Sequence, residues 1–392
     1  MHAAMIVDHV DIRVRARRIL DRPALRAERE RVWAEAHDTA GLAHTDATYR
    51  ALGAESLLAP HWPRAYGGLG ADAYAAAVVA EELALHGIPD SARVNTIDNA
   101  GATILAAGTP AQRARYLPAM ARGESVFAVL YTEPDVGSDL GGLSTRAEPT
   151  ARGWHLNGVK AWNARTAEAD HAICAARTPG DSGNKYADIS LFVVPLHHPG
   201  VRIAPVPTVN PERFFDVRLD DVEVPHESLV GRPGQGWPLL AQALGLERTG
   251  ICFAGRARRW LDRLIACLET DPGLPDVRVR QGLPRLDAEV EACRLLAWRA
   301  VQDVAERRPG AATAAAAKWW ASELAQRVAA LAWEVLGPSP ADGTAHPLFP
   351  DLAVAVREAP GLSLAAGTSE VLLDTVAGDL LDGDDPWATE EV

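Results

Sequence analysis

The feature that most constrains this chain is a change of hydrophobic period near Ser125 that reverses near Gly231. Before it, apolar residues recur at helical spacing over residues 23–41, 74–86, 99–107 and 110–120. From Ser125 the chain breaks into short Val- and Ile-rich runs, at 125–131, 153–161, 171–177, 189–195, 201–206 and 218–224. Asp135, Gly137, Asn157-Gly158, Pro179-Gly180 and Pro199-Gly200 separate these runs as turn formers. Helical spacing then returns over 238–270, 278–307 and 311–336, with Gly337-Pro338 as a stop, and a last helix begins near Gly367 before an acidic tail. The pattern predicts an α+β multidomain chain: a helical part over 1–124, a small antiparallel barrel or sandwich over 125–230, and a second helical part over 231–392.

Bulk properties exclude several roles. The net charge of −13, with no basic run to track a phosphate backbone, argues against a nucleic-acid partner. Cys174, Cys252, Cys267 and Cys293 have neither CxxC spacing nor a disulfide framework, and each sits in a mostly apolar segment, so buried reduced thiols are expected. No apolar run is long enough to span a membrane, and the first twenty residues lack the apolar core of a signal peptide, so a cytoplasmic location is expected. His197-His198 lies in a turn with no third ligand at a sensible spacing, and no metal is expected. The GGLG at 67–70 has no preceding strand, so it is not read as a dinucleotide fingerprint.

Residues 229–255, LVGRPGQGWPLLAQALGLERTGICFAG, read as a Gly/Pro turn followed by a buried helix. Leu240, Leu244, Ile251 and Ala254 share one helical stripe, and Glu247 falls on it too. A carboxylate on an apolar face is paired, protonated or used. One reading is an ion pair with Arg248 or another arginine. The other is a general base whose pKa is raised by desolvation.

Residues 127–139, FAVLYTEPDVGSD, resemble the T-E-P-x-x-G-S-D signature of the acyl-CoA dehydrogenase family. The resemblance continues along nearly the whole chain, through LLAPHWPRAYGGLG, GTPAQRARYLPAMARGE, NGVKAW, FFDVRLDDVEVP, LVGRPGQGW, LGLER and GTSEV. It implies an N-terminal helical domain, a middle antiparallel β-barrel, a C-terminal four-helix bundle, and FAD between barrel and bundle. It places Val129, Tyr131, Thr132, Gly137, Ser138, Trp162 and Ala164 at FAD-contacting positions, with Thr368 and Glu370 of the GTSEV motif also on the cofactor. Ser138 would also touch the substrate, whose acyl pocket would include Leu244 and Arg248. The turn chemistry agrees, because a TEP turn offers backbone N–H groups and a hydroxyl to a flavin edge. Trp162 by itself is read either as a core aromatic or as the flavin cover.

Departures from the family pattern matter as well. Many members carry a catalytic glutamate immediately before the Gly-Thr of the C-terminal motif, where this chain has Ala366 in LAAGTSEV. A subset places the base in an L-x-x-E-R context on the first bundle helix, and Glu247 in LGLER matches it. The position two residues after the tryptophan, commonly Thr or Ser, is Ala164 here. The R-x-x-F-G motif is replaced by PDVRVRQGL, within which Arg278 or Arg280 would substitute, and the Gln-Arg-Asn that often follows GTSEI is replaced by LLD.

The resemblance implies FAD-dependent α,β-dehydrogenation of an acyl thioester carried by CoA or a carrier protein. Glu247 would take the α-proton, the Ala366 N–H would stabilise the enolate oxygen, and flavin N5 would accept the hydride. An electron-transfer flavoprotein would reoxidise the cofactor, and the chain would assemble as a homo- or hetero-oligomer. Two alternatives stand beside this: one subunit of a hetero-oligomeric dehydrogenase, or a degenerate member with non-redox or oxygenase chemistry.

Overall fold

The structure, a computed structural model, describes residues 9–36, 44–180, 183–247, 249–270, 277–308, 310–336 and 349–382. Gly337-Pro338 and the acidic tail from 383 lie outside the described residues. The chain divides into two compact units, Met1–Leu244 and Gly245–Val392, taken here in turn.

The first unit opens with helices α1 (His9–Leu20), α2 (Pro23–Glu35), α3 (Asp46–Ala54) and α4 (Ala73–His86). Buried Glu81 and Glu82 of α4 take the guanidinium groups of Arg13 and Arg17, which welds α1 to α4. The short α5 (Ser91–Arg93) runs into a π-helix, Val94–Gly101, then α6 (Ala102–Ala107) and α7 (Pro110–Ala121). A full capping box of Thr109 and Gln112, with Pro110 at its start, sets the beginning of α7.

The strands are β1 (Phe127–Leu130), β2 (Arg146–Pro149), β3 (Gly153–Ala164), β4 (His171–Arg177), β5 (Ile189–Pro195), β6 (Val201–Val206), β7 (Phe214–Pro225) and β8 (Leu229–Val230). Their order is β6-β7-β3-β2-β4-β5-β8, with β1 on β4. The expected antiparallel barrel is therefore corrected. The sheet is open, with edges at β6 and β8, and it is mixed, because β1 and β2 both run parallel to β4. The reason is chain direction: β1 enters from a helix and returns to β4 only after the β2–β3 hairpin, a crossover long enough for parallel pairing. Trp154, Leu156, Phe192, Val194, Val217 and Val222 fill its core.

α8 (Gly236–Glu247) leads from the first unit into the second. The single helix expected over 238–270 is broken: α9 (Ile251–Thr270) starts only after Gly250, whose φ of +77° belongs to the left-handed region. α10 (Val277–Ala305), α11 (Ala311–Leu336), α12 (Phe349–Leu362) and α13 (Ser369–Asp382) follow. α9, α10, α11 and α12 close on one another around Leu264, Cys267, Val279, Ala332, Leu336 and Leu352. No described helix is long and apolar enough to cross a membrane.

Candidate active site

In the first unit the residues of the TEP motif form a tight turn at the end of β1. Glu133 and Val136 exchange both backbone hydrogen bonds at 3.0 Å, and the turn leaves Gly137 and Ser138 exposed, with open space where a Cβ on Gly137 would stand. The Thr132 carbonyl accepts the Ala161 N–H at 2.9 Å, which ties the turn to β3.

The side chain of Glu133 points inward and is nearly fully buried. It accepts from the Ser144 N–H and hydroxyl, both at 2.6 Å, from the Thr145 N–H at 2.8 Å, and from Lys160 Nζ at 2.9 Å. Lys160, itself buried, also donates to the Tyr131 carbonyl at 3.1 Å. Burial alone would raise the Glu133 carboxyl, but the Lys160 ammonium and these hydrogen bonds outweigh it and hold the pKa at about 2. One ion pair thus fastens the turn, β3 and the 144–145 loop together. Neither residue was singled out from sequence, although a lone Lys between Val159 and Ala161 in a strand was the available signal.

β3 carries a register shift against β7 between Lys160 and Asn163. Within that bulge Trp162 takes φ +59°, and its side chain is 56% exposed, with only an edge contact to Phe214 at 6.2 Å. The core-aromatic reading of Trp162 does not hold. A bulky residue in the left-handed region costs about 1–3 kcal/mol and persists only where its surroundings over-determine it. Here they do. Asn163 Nδ2 donates to the Phe215 carbonyl at 3.0 Å, and Asn95 of the π-helix donates to the Ala164 carbonyl at 3.2 Å. Arg165, also left-handed at φ +62° and buried, pairs with Glu212 at 3.0 Å and donates to Ser91 Oγ at 3.1 Å. Of the residues expected on the cofactor, Val129, Tyr131, Thr132, Gly137, Ser138, Trp162 and Ala164 all lie on β1, the turn after it, this bulge and the end of β3.

In the second unit, Ala366 and Gly367 take successive left-handed conformations, φ +57° and +95°, in the turn between α12 and α13. Among the described residues the Ala366 N–H donates to no acceptor. Thr368 caps α13, its hydroxyl accepting the Val371 N–H at 3.3 Å. The exposed Glu370 carboxyl is held below its ordinary value by its own N–H and by the Thr368 hydroxyl. Lys318 of α11 is fully buried and donates to the carbonyls of Leu362 and Gly367, each at 2.8 Å. Ser369 Oγ donates to Glu323 at 2.6 Å. Arg278 is an exposed residue in the first turn of α10. Glu247 is the last residue of α8, while its side chain, that of Leu244, and Arg248 lie outside what the structure describes.

The acyl-CoA dehydrogenase N-terminal, middle and C-terminal domain models match residues 8–124, 128–222 and 234–381. The chain is 36% identical over 268 residues to the acyl-CoA dehydrogenase FadE34 of Mycobacterium tuberculosis, a match covering 67% of this chain and 36% of that protein. FadE26 of the same organism is 31% identical over 306 residues, covering 74% of this chain and 75% of its own. The solved Tcur3481-Tcur3483 steroid ACAD superposes with a TM-score of 0.83 at 28% identity over 96% of both chains. The ChsE4-ChsE5 complex of M. tuberculosis gives 0.82 at 27% identity, over 98% of this chain and 100% of that one. This chain belongs to the acyl-CoA dehydrogenase family, whose members are FAD-binding oxidoreductases acting on the CH–CH bond of acyl-CoA.

Proposed function

We propose that this chain catalyses the α,β-dehydrogenation of an acyl thioester with FAD. The observation that carries the reading is the posture of Trp162, an exposed indole held in a strained conformation by the Ala161 N–H bond to Thr132 before it and the hydrogen bonds at Asn163 and Ala164 after it. Such a residue calls for a flat ligand against it. The neighbouring features fit FAD: a half-buried Thr132 beside the bulge, and an open Gly137-Ser138 backbone suited to a pyrophosphate. FAD, when bound, supplies the hydride acceptor. The chain's own residues supply the rest. The Ala366 N–H, without an acceptor among the described residues, donates to the thioester oxygen as charge develops there, and Glu247 removes the α-proton. Arg278, Thr368 and Glu370 remain proposed cofactor contacts, with Leu244, Arg248 and Ser138 proposed on the substrate. On this reading the working domains are 1–124, 125–230 and 231–392.

The exchange of the R-x-x-F-G motif for PDVRVRQGL favours a second arrangement, in which this chain is one subunit of a two-chain dehydrogenase. Two similar structures, the Tcur3481-Tcur3483 steroid ACAD and the ChsE4-ChsE5 complex, are each named for two chains, which supports it. Similarity to the first, a steroid ACAD, supports a bulky, polycyclic acyl group as substrate. The electron acceptor on either arrangement is an electron-transfer flavoprotein. The test begins with flavin quantified in the purified chain, alone and co-expressed with sequence-related chains. Glu247→Gln is then expected to lower turnover by about 10²–10⁴-fold with flavin retained. Retained turnover would remove Glu247 from the mechanism.

A further inference from the structure

Among the buried cations described in the second unit, one touches both the turn that carries Ala366 and the backbone at Gly250. Lys318 sits on α11 in the apolar run AATAAAAKWWA, and its side chain is fully buried. Its ammonium donates to Leu362 O, the last carbonyl of α12, and to Gly367 O. These two carbonyls bracket the turn that carries Ala366. A third face of the ammonium lies 5.2 Å from the centre of the Phe253 ring in the first turn of α9. The main chain at the same position is equally committed. A Cβ on Gly250 would stand 2.9 Å from the Ala317 carbonyl carbon and from the Lys318 nitrogen, so the α8–α9 break is pressed against this residue. Glu247 lies only three residues before Gly250.

We infer that Lys318 is a positioning residue for the dehydrogenation. It holds the Ala366 N–H in its left-handed turn, and it sets the spacing between that donor and the segment bearing Glu247. The inference rests on the proposed oxyanion role of Ala366. The physical reason is specific to an ammonium. A left-handed Ala-Gly pair has one strained residue, Ala366, and no regular backbone ladder of its own, so outside donors help define its direction. Two charge-assisted hydrogen bonds from one point do so, at each end of the turn, with less freedom than separate neutral donors would leave. Catalytic electrostatics need that definition, because an oxyanion donor works only when it is pre-aimed at the place where charge develops.

The test compares three ligands on the FAD-loaded protein: a saturated acyl-CoA, a 3-oxoacyl-CoA whose acidic α-position gives an enolate, and an acyl-CoA thioether without the carbonyl. Binding is read by calorimetry and by the flavin absorbance. Wild type is expected to bind the 3-oxo ligand far more tightly than the thioether. Lys318→Met is expected to lose about tenfold of that preference, as a misaimed donor should, while affinity for the saturated ligand changes less than about twofold. If wild type shows no preference for the carbonyl ligand, the oxyanion role of Ala366 fails. If wild type shows it and Lys318→Met keeps it, the role of Lys318 fails while that of Ala366 stands. Should Lys318→Met not fold, Lys318→Arg carries the test, because it keeps the charge but its larger, planar guanidinium cannot aim its donors as the compact ammonium does in the same space. It is expected to lose about threefold of the preference, and an unchanged preference in a folded variant overturns the proposal.

Discussion

Glu133 and Lys160 show what a single buried pair does for this site. The pair is desolvated, so removing one partner strands the other, a change that typically costs about 3–5 kcal/mol. Lys160→Met is expected to destabilise the protein by an amount of that order at neutral pH, measured by urea unfolding. The pH dependence follows from the depressed carboxyl. Glu133 stabilises the fold fully above its ordinary value near 4.5 and loses that contribution as pH falls towards about 2. The gap between wild type and variant should therefore narrow between pH 7 and pH 3, and a constant gap would contradict the ion pair. The motif TEP was legible as a signature, but the role of its glutamate was not. Sequence reading assigned the turn's value to Thr132 and to backbone groups, whereas the turn hangs on a lysine 27 positions away. At the same scale, Glu247→Gln separates chemistry from folding, since a helix-terminal carboxamide changes the proton affinity and little else.

Among the elements, β3 is the one whose irregularity matters. Its twelve residues pair with β7 through two register shifts, and the second expels Trp162. Trp162→Gly is expected to leave thermal stability unchanged or raised, because glycine takes φ +59° without strain and the indole buries little. Flavin content should nonetheless fall several-fold. A lower melting temperature with unchanged flavin would return Trp162 to a packing role. Elements with strong local pattern were readable: β4, β5 and β6 occur at 171–177, 189–195 and 201–206, and α11 at 311–336, as their periodicity implies. β2 and β8 were missed because four and two residues carry no period. α12 was missed because Pro350 and Pro360 read as turn signals, although the first falls near a helix start and the second near its end. The α8–α9 break was missed because its two halves continue one apolar stripe across Gly250.

The whole molecule carries a charge of −13 and exposes Leu373, Leu380 and Leu381 on α13, with Leu295 on α10 and Trp333 on α11. Scattered apolar residues need no explanation, but several on one short terminal helix favour an assembled state. Native mass spectrometry is expected to find this chain in complexes of two or more subunits. In the two-chain arrangement the isolated protein should hold little FAD and gain it when co-expressed with its partner. Full flavin occupancy in a homo-oligomer would discard that arrangement, and a flavin-free, monomeric chain unaffected by any partner would discard both.

The sequence by itself determined the family and the helix–strand–helix order, and it nominated residues for the candidate site. Each of these is written in local spacing or in a motif, where composition and periodicity act over a few residues. Only the tertiary structure decided that the sheet is open and mixed, that Trp162 faces outward, and that Lys160 and Lys318 are the buried cations on which two turns depend. Those features arise from groups distant in the chain meeting in a low-dielectric interior. There an ion pair or a carbonyl ligand changes a residue from a surface charge into a structural fixture.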